Sequence, residues 1–165
     1  MTERVALITG ASAGIGTELA RVFASRGHRV ALVARRADRL TALAGEIVAA
    51  GGAAPIVIAC DLTQTGAGDT IADALAAAGV EVEYVVNNAG YGVFGKAIQR
   101  DRADQLDMIT VNIRALTDLS LRFADQLARH RGSVDAMSTK SAGHPKPWGD
   151  LADQRHAVHG EPHGA

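Results

Sequence analysis

A chain of 165 residues with 17 basic and 18 acidic side chains carries a formal net charge of −1. That length gives room for one domain and one core. Both signs are interspersed over the first 130 positions, which leaves no basic stripe to neutralise the phosphates of nucleic acid. No run of about 18 apolar residues occurs, and residues 1–4 lead at once into an apolar strand, so neither membrane insertion nor export is expected. Cys60, the single cysteine, cannot form an internal disulfide; it reads as a small buried residue at a strand end in a reducing cytoplasm.

From Arg4 to about Gly132, short apolar runs alternate with amphipathic stretches, the pattern of βαβ units around a parallel sheet. The runs at 5–8, 30–33, 56–59 and 82–86 predict four strands whose continuous apolar character suits coverage by helices on both faces. Ile15, Leu19, Val22 and Phe23 recur at helical spacing before a stop at Gly27. Leu40, Leu43 and Ile47 do the same before Gly51, and Ile71 and Leu75 before Gly79. A longer helix is predicted over 102–129, broken near Val111, with an apolar face of Leu106, Ile109, Ile113, Leu116 and Leu127. A fifth strand is expected over 132–137 beside the fourth, although Asp135 interrupts its apolar run. Beyond Ala128 lie five of the six histidines and three of the four prolines, and large apolar residues become scarce. Residues 1–134 therefore read as an α/β domain and 135–165 as a divergent, poorly ordered tail. His156, His159 and His163 share one helical spacing, but the intervening Gly160 and Pro162 argue against a metal site, and none is expected.

Thr9-Gly10-Ala11-Ser12-Ala13-Gly14-Ile15-Gly16 follows the first strand and opens the first helix, the context that a phosphate-binding glycine turn requires. Gly10 allows a sharp turn off the strand, Gly14 a close approach of backbone to a pyrophosphate, and Gly16 close packing of helix on sheet. The helix start then offers unpaired N–H groups to the anion. No Gly-Lys-Ser/Thr follows, which excludes a P-loop.

The glycine turn in its T-G-x-x-x-G-x-G form, Cys60-Asp61-Leu62 after the third strand, Asn87-Asn88-Ala89-Gly90 after the fourth and Val111-Asn112 in the long helix resemble, in order, the short-chain dehydrogenase/reductases. The resemblance covers residues 4 to about 134. It implies a Rossmann-like, doubly wound, three-layer α/β/α fold, incomplete in this chain, with strand order 3-2-1-4-5. It implies an oxidoreductase acting on a small-molecule carbonyl or alcohol. Gly10, Ser12, Gly14, Ile15, Gly16, Asp61, Leu62, Asn88, Ala89 and Gly90 would hold a nicotinamide cofactor, with Asp61 and Leu62 at the adenine. Family members commonly pair through the long helix, so a homo-oligomer through 102–129 is also implied. Taken alone, Asp61 has a turn or capping carboxylate as its secondary reading, and Asn87 and Asn88 read equally as loop amides bonded to their own backbone.

The second strand is followed by Arg35-Arg36, with no carboxylate at its tip. An arginine fork pairs with a 2′-phosphate where an acid would repel it, so NADP(H) is expected over NAD(H). Asp38 is the rival, but it falls past the strand and reads better as a cap on the second helix.

Carbonyl reduction needs a proton donor and a group that stabilises the developing alkoxide. The resemblance assigns these to a Ser after the fifth strand and to a Tyr-x-x-x-Lys helix, with an Asn on the long helix that holds a water; Asn112 matches the last. The only tyrosines are Tyr84 and Tyr91, both before the long helix, so the catalytic Tyr has no counterpart. Two alignments stand side by side: Ser138 or Thr139 as the catalytic Ser, or 136–140 as a remnant of the Tyr-x-x-x-Lys helix with Ala136 in place of Tyr and Lys140 as its lysine. A non-catalytic nucleotide- or partner-binding protein, or a truncated or frameshifted product, is the alternative to an active enzyme.

Overall fold

A computed structural model of the chain describes residues 2–92 and 95–137. Each aliphatic run expected to form a strand does so. β1 (Glu3–Thr9), β2 (Arg29–Ala34), β3 (Ile56–Ala59), β4 (Val80–Asn87) and β5 (Ser133–Ala136) make one parallel sheet in the order 3-2-1-4-5. α1 (Ile15–Ser25) and α2 (Ala37–Ala49) pack on one face. On the other lie α3 (Ala67–Ala77), α4 (Arg102–Ile109), a π-helical stretch at Thr110–Ala115, α5 (Leu116–Arg122) and α6 (Ala124–His130).

Successive strand side chains point to opposite faces, and the sheet therefore feeds two cores. Val5, Leu7, Ala31 and Val33 join Ile71, Leu75, Leu119 and Phe123 on the α3–α6 side. Ala6, Ile8, Val30 and Leu32 join Ala20, Ala24, Leu40 and Ile47 on the other. Each fully buried Leu or Ile stabilises the fold by about 1.5–3 kcal/mol. β4 breaks the alternation: Val5 pairs with Val82 but Ala6 with Tyr84, so Glu83 is an extra residue in a bulge. The bulge lets Val82 and Val85, three apart, serve the same core. The Val82 N–H beside it donates to Gln126 Oε1 on α6 at 2.6 Å.

Three local expectations are corrected. In α1, Leu19 and Phe23 pack against the core as their spacing implies, but Ile15 and Val22 are 47% and 42% exposed, and the buried residues are Gly16, Ala20 and Ala24. Small residues four apart bring helix and sheet close. In the long helix, Leu106, Ile109 and Ile113 point outward, and the buried face is Val111, Leu119, Phe123 and Leu127. A π-helical turn shifts the phase of everything after it, so a face read at a constant 3.6-residue period is displaced. The helix thus breaks near Val111 by widening, and again at Phe123. Asp38 does not cap α2: the cap position is Arg36, and Asp38 sits in the first turn, where its charge faces the positive end of the helix dipole. Asp135 is accommodated because every residue of β5 is exposed at the sheet edge, so its carboxylate is not buried.

Candidate functional site

Because all five strands run parallel, the chain leaves β1, β2, β3 and β4 at the same edge, and the four following segments meet there. Backbone bonds knit them together: Ala11 N donates to Val33 O at 3.3 Å, Cys60 N to Ala34 O at 3.0 Å and Met137 N to Asn87 O at 3.0 Å.

The glycine turn is built under steric compulsion. At Gly10, with φ +68°, a Cβ would lie 2.8 Å from Asn88 Nδ2 and 3.0 Å from Ala89 Cα; at Gly16 it would overlap the Gly10 carbonyl. Gly14 differs: its φ is +59°, but a Cβ there would meet nothing within 4 Å. Its backbone is open, and as the N-cap of α1 it supplies no side-chain cap. The first N–H groups of α1 have no intrahelical acceptor, the arrangement that favours an anion at a helix start.

Beneath the turn sits Thr9, the first residue of the motif, whose role the sequence does not give. Thr9 is 1% exposed, and its Oγ1 accepts from Asn88 N (3.1 Å) and Ala89 N (2.9 Å) while donating to Val86 O (3.3 Å). Asn88 Nδ2 donates to Thr9 O (3.0 Å) and to Gly10 O (3.4 Å). Buried Asn87 donates from Nδ2 to Ser120 Oγ at 3.0 Å. Neither asparagine is a loop amide bonded to its own neighbourhood. Both tie β4 to elements distant in sequence, Asn88 to the glycine turn and Asn87 to α5. A threonine ending a strand carries no distinctive signal, since its partners lie about 80 positions away.

A cleft of about 460 Å³ opens at this edge, lined among others by Gly10, Ser12, Arg35, Arg36, Asp61, Leu62, Ala89 and Gly90. Gly14, Ile15 and Gly16 form the adjoining start of α1, with Ile15 exposed. Arg36 Nη2 donates to Ser12 Oγ at 3.2 Å, which links the end of β2 to the glycine turn. Arg35 is exposed on the cleft, and no ion pair holds its guanidinium among the described residues. Asp61 Oδ1 accepts from Thr63 N (3.0 Å) and Thr63 Oγ1 (2.9 Å), so it shapes its own turn while lining the cleft. Cys60 also lines it, and burial, followed by the Asp61 charge, pushes its thiol up, which leaves it a poor nucleophile.

Asn112 lies on the π-helical stretch and lines a smaller neighbouring pocket of about 260 Å³ with Ala89, Gly90, Ala136 and Met137. Its side chain clamps the loop after β4: Nδ2 donates to Tyr91 O at 2.8 Å and Oδ1 accepts from Tyr91 N at 3.0 Å. Ser138, Thr139, Lys140, the three tail histidines and the rest of 138–165 lie outside the described residues. Among the described residues no cluster of His, Cys, Asp or Glu is placed to hold a metal ion, and no helix is long and apolar enough to cross a membrane.

An open parallel sheet with a glycine turn after its first strand and loops gathered at the strand tips defines the dinucleotide-binding α/β class. The short chain dehydrogenase family profile matches residues 4–150, and the chain belongs to that family. It is 34% identical over 146 residues to serine 3-dehydrogenase of Agrobacterium fabrum, covering 88% of this chain and 57% of that protein. A metagenomic short-chain oxidoreductase solved with NADP superposes with a TM-score of 0.78 at 38% identity, over 88% of this chain and 65% of that one. A short-chain dehydrogenase of Sphingobium yanoikuyae solved with NADPH gives 0.70 at 35% identity, over 80% and 52%. The chain spans about half the length of the curated relatives it matches.

Proposed function

We propose that this chain binds NADP(H) in preference to NAD(H), in the service of a carbonyl–alcohol oxidoreduction on a small molecule. The observation that carries the reading is the pair Arg35 and Arg36 at the tip of β2, opening onto the same cleft as the glycine turn with no acidic side chain at that strand end. Three features fit the cofactor: the open backbone at Gly14 with uncapped N–H groups for a pyrophosphate, Arg35, without an ion pair among the described residues, together with Ser12-tethered Arg36 for a 2′-phosphate, and a cleft running from the arginines to Asp61 and Leu62. Relatives crystallised with NADP and NADPH support it.

The bound cofactor would supply or accept a hydride. The chain's own contribution is to orient it: Thr9 and Asn88 hold the glycine turn, and Asn112 holds the 90–92 loop. Proton delivery has no tyrosine to perform it. Tyr84 stacks against Phe23 and His28, with ring centroids 5.5 and 5.1 Å away, and Tyr91 lines the larger cleft, not the pocket beside Asn112. We therefore assign these 165 residues, on their own, cofactor binding without appreciable turnover. The outward-facing Leu106, Ile109 and Ile113 support pairing with a second copy through this helix, and the reducing environment suited to a lone Cys60 supports the cytoplasm. Nucleic acid and membrane have no part in the assignment.

The test is the double variant Arg35→Asp/Arg36→Ala. Each charge-assisted bond it removes is worth about 1.5–3 kcal/mol, so the NADPH preference should narrow or reverse, read by titration with both cofactors. A preference unchanged by the variant would contradict the assignment.

A further inference from the structure

Tyr91 lines the cleft that holds the arginine pair, but not the smaller pocket around Asn112. It follows Asn88-Ala89-Gly90, and its backbone is fixed on both sides by the Asn112 side chain. The residue is thus anchored through its backbone at the wall of the cleft, about two-fifths exposed. The cleft is electrically lopsided: Arg35 and Arg36 stand at the end of β2, Asp104 and Asp107 stand on α4, and Tyr91 is bonded through its backbone to Asn112 on the stretch that continues α4. Burial first, then the charges of Asp107 and Asp104, push the Tyr91 hydroxyl up.

We infer that Tyr91 is a binding residue for the adenosine half of the dinucleotide, its ring forming an aromatic wall against the purine. The inference rests on the NADP(H) reading above. With the 2′-phosphate drawn to Arg35 and Arg36 and repelled by Asp104 and Asp107, the neutral base and ribose are what lies toward α4. A flat, polarizable ring is suited to them, since aromatic side chains stack on bases without needing a hydrogen-bond code.

The experiment is calorimetric titration of the full chain and of Tyr91→Ala and Tyr91→Phe with three probes: NADPH, adenosine 2′,5′-bisphosphate and nicotinamide mononucleotide. Tyr91→Ala should weaken NADPH and the bisphosphate together by about fivefold or more, the range of a lost base–aromatic stack. Tyr91→Phe, which keeps the ring, should stay within about twofold of the unmodified chain for both. Far-UV circular dichroism of Tyr91→Ala should match the unmodified chain, because the Asn112 clamp uses only the Tyr91 backbone. Loss of NADPH affinity with the bisphosphate unaffected would put Tyr91 at the nicotinamide half and overturn the inference, as would unchanged affinity for both in Tyr91→Ala. An unmodified chain that binds neither adenosine-bearing probe would overturn the cofactor reading itself, a result distinct from either.

Discussion

Thr9→Val isolates what a single hydroxyl does for this site. The substitution keeps the shape of a residue 1% exposed but removes the acceptor shared by Asn88 N and Ala89 N and the donor to Val86 O. Asn88 N also donates to Val86 O at 3.0 Å and keeps that acceptor, so Ala89 N is the donor left without its partner. A buried donor left without a partner costs about 1–3 kcal/mol, which is the expected loss. For a domain of this size each kcal/mol lowers Tm by about 2–4 °C, so a fall of about 2–12 °C is expected. Thermal and urea melts followed by circular dichroism measure it, and amide hydrogen exchange localises it: protection at Ala89 should drop before protection in β1 or β2. Thr9→Ser keeps the hydroxyl and loses one methyl, worth about 1 kcal/mol, so it should fall clearly short of Thr9→Val. A Thr9→Val protein melting within about 1 °C of the unmodified chain, or a Thr9→Ser protein equally damaged, would refute the reasoning.

Asn112→Ala should release the 90–92 loop, with the Tyr91 amide exchanging faster and stability falling by about 1–2 kcal/mol, since two ordinary hydrogen bonds are lost; unchanged exchange at Tyr91 would contradict the clamp. Hydrogen bonding from His130 first, aided by Arg129, holds the Glu81 carboxyl below its usual range. A depressed carboxylate contributes stability that is fully present above its unfolded value of about 4.3 and lost as pH falls through the lower folded value. Glu81→Gln should therefore reduce stability at neutral pH and flatten the acid limb of the stability profile; a profile parallel to the unmodified chain's would contradict it. NADPH oxidation by the 165-residue chain against ketones, aldehydes and quinones should stay at background, because a positioned acid contributes about 10²–10⁴-fold and neither tyrosine lines the pocket around Asn112; turnover abolished by Asn112→Ala would show that a proton donor exists. Ile113→Glu should shift any dimer toward monomer in sedimentation analysis, and an unchanged state would remove the helix from the interface.

Strand positions and sheet order were legible because parallel strands buried on both faces read as unbroken aliphatic runs, and β3 coincides with its run at 56–59. The glycine turn was legible for a different reason: Gly10, Gly14 and Gly16 answer to local steric demands that leave few substitutes. The phase of the 102–130 region was not, because the π-helical turn that displaces it leaves no local mark in the residue pattern. Thr9, Asn87 and Asn88 show the same limit, since their partners sit about 30 to 80 positions away and only the folded sheet brings them together. Asp61 shows a local and a site feature coinciding: one oxygen closes its own turn while the residue lines the cleft.

The most direct test of the account is a paired titration of the unmodified chain with NADPH and NADH at fixed ionic strength, since the arginine contacts are screened by salt. The account predicts tighter binding of NADPH, by at least about tenfold if one charge-assisted contact to the 2′-phosphate forms. Superimposable curves, or tighter binding of NADH, would contradict it.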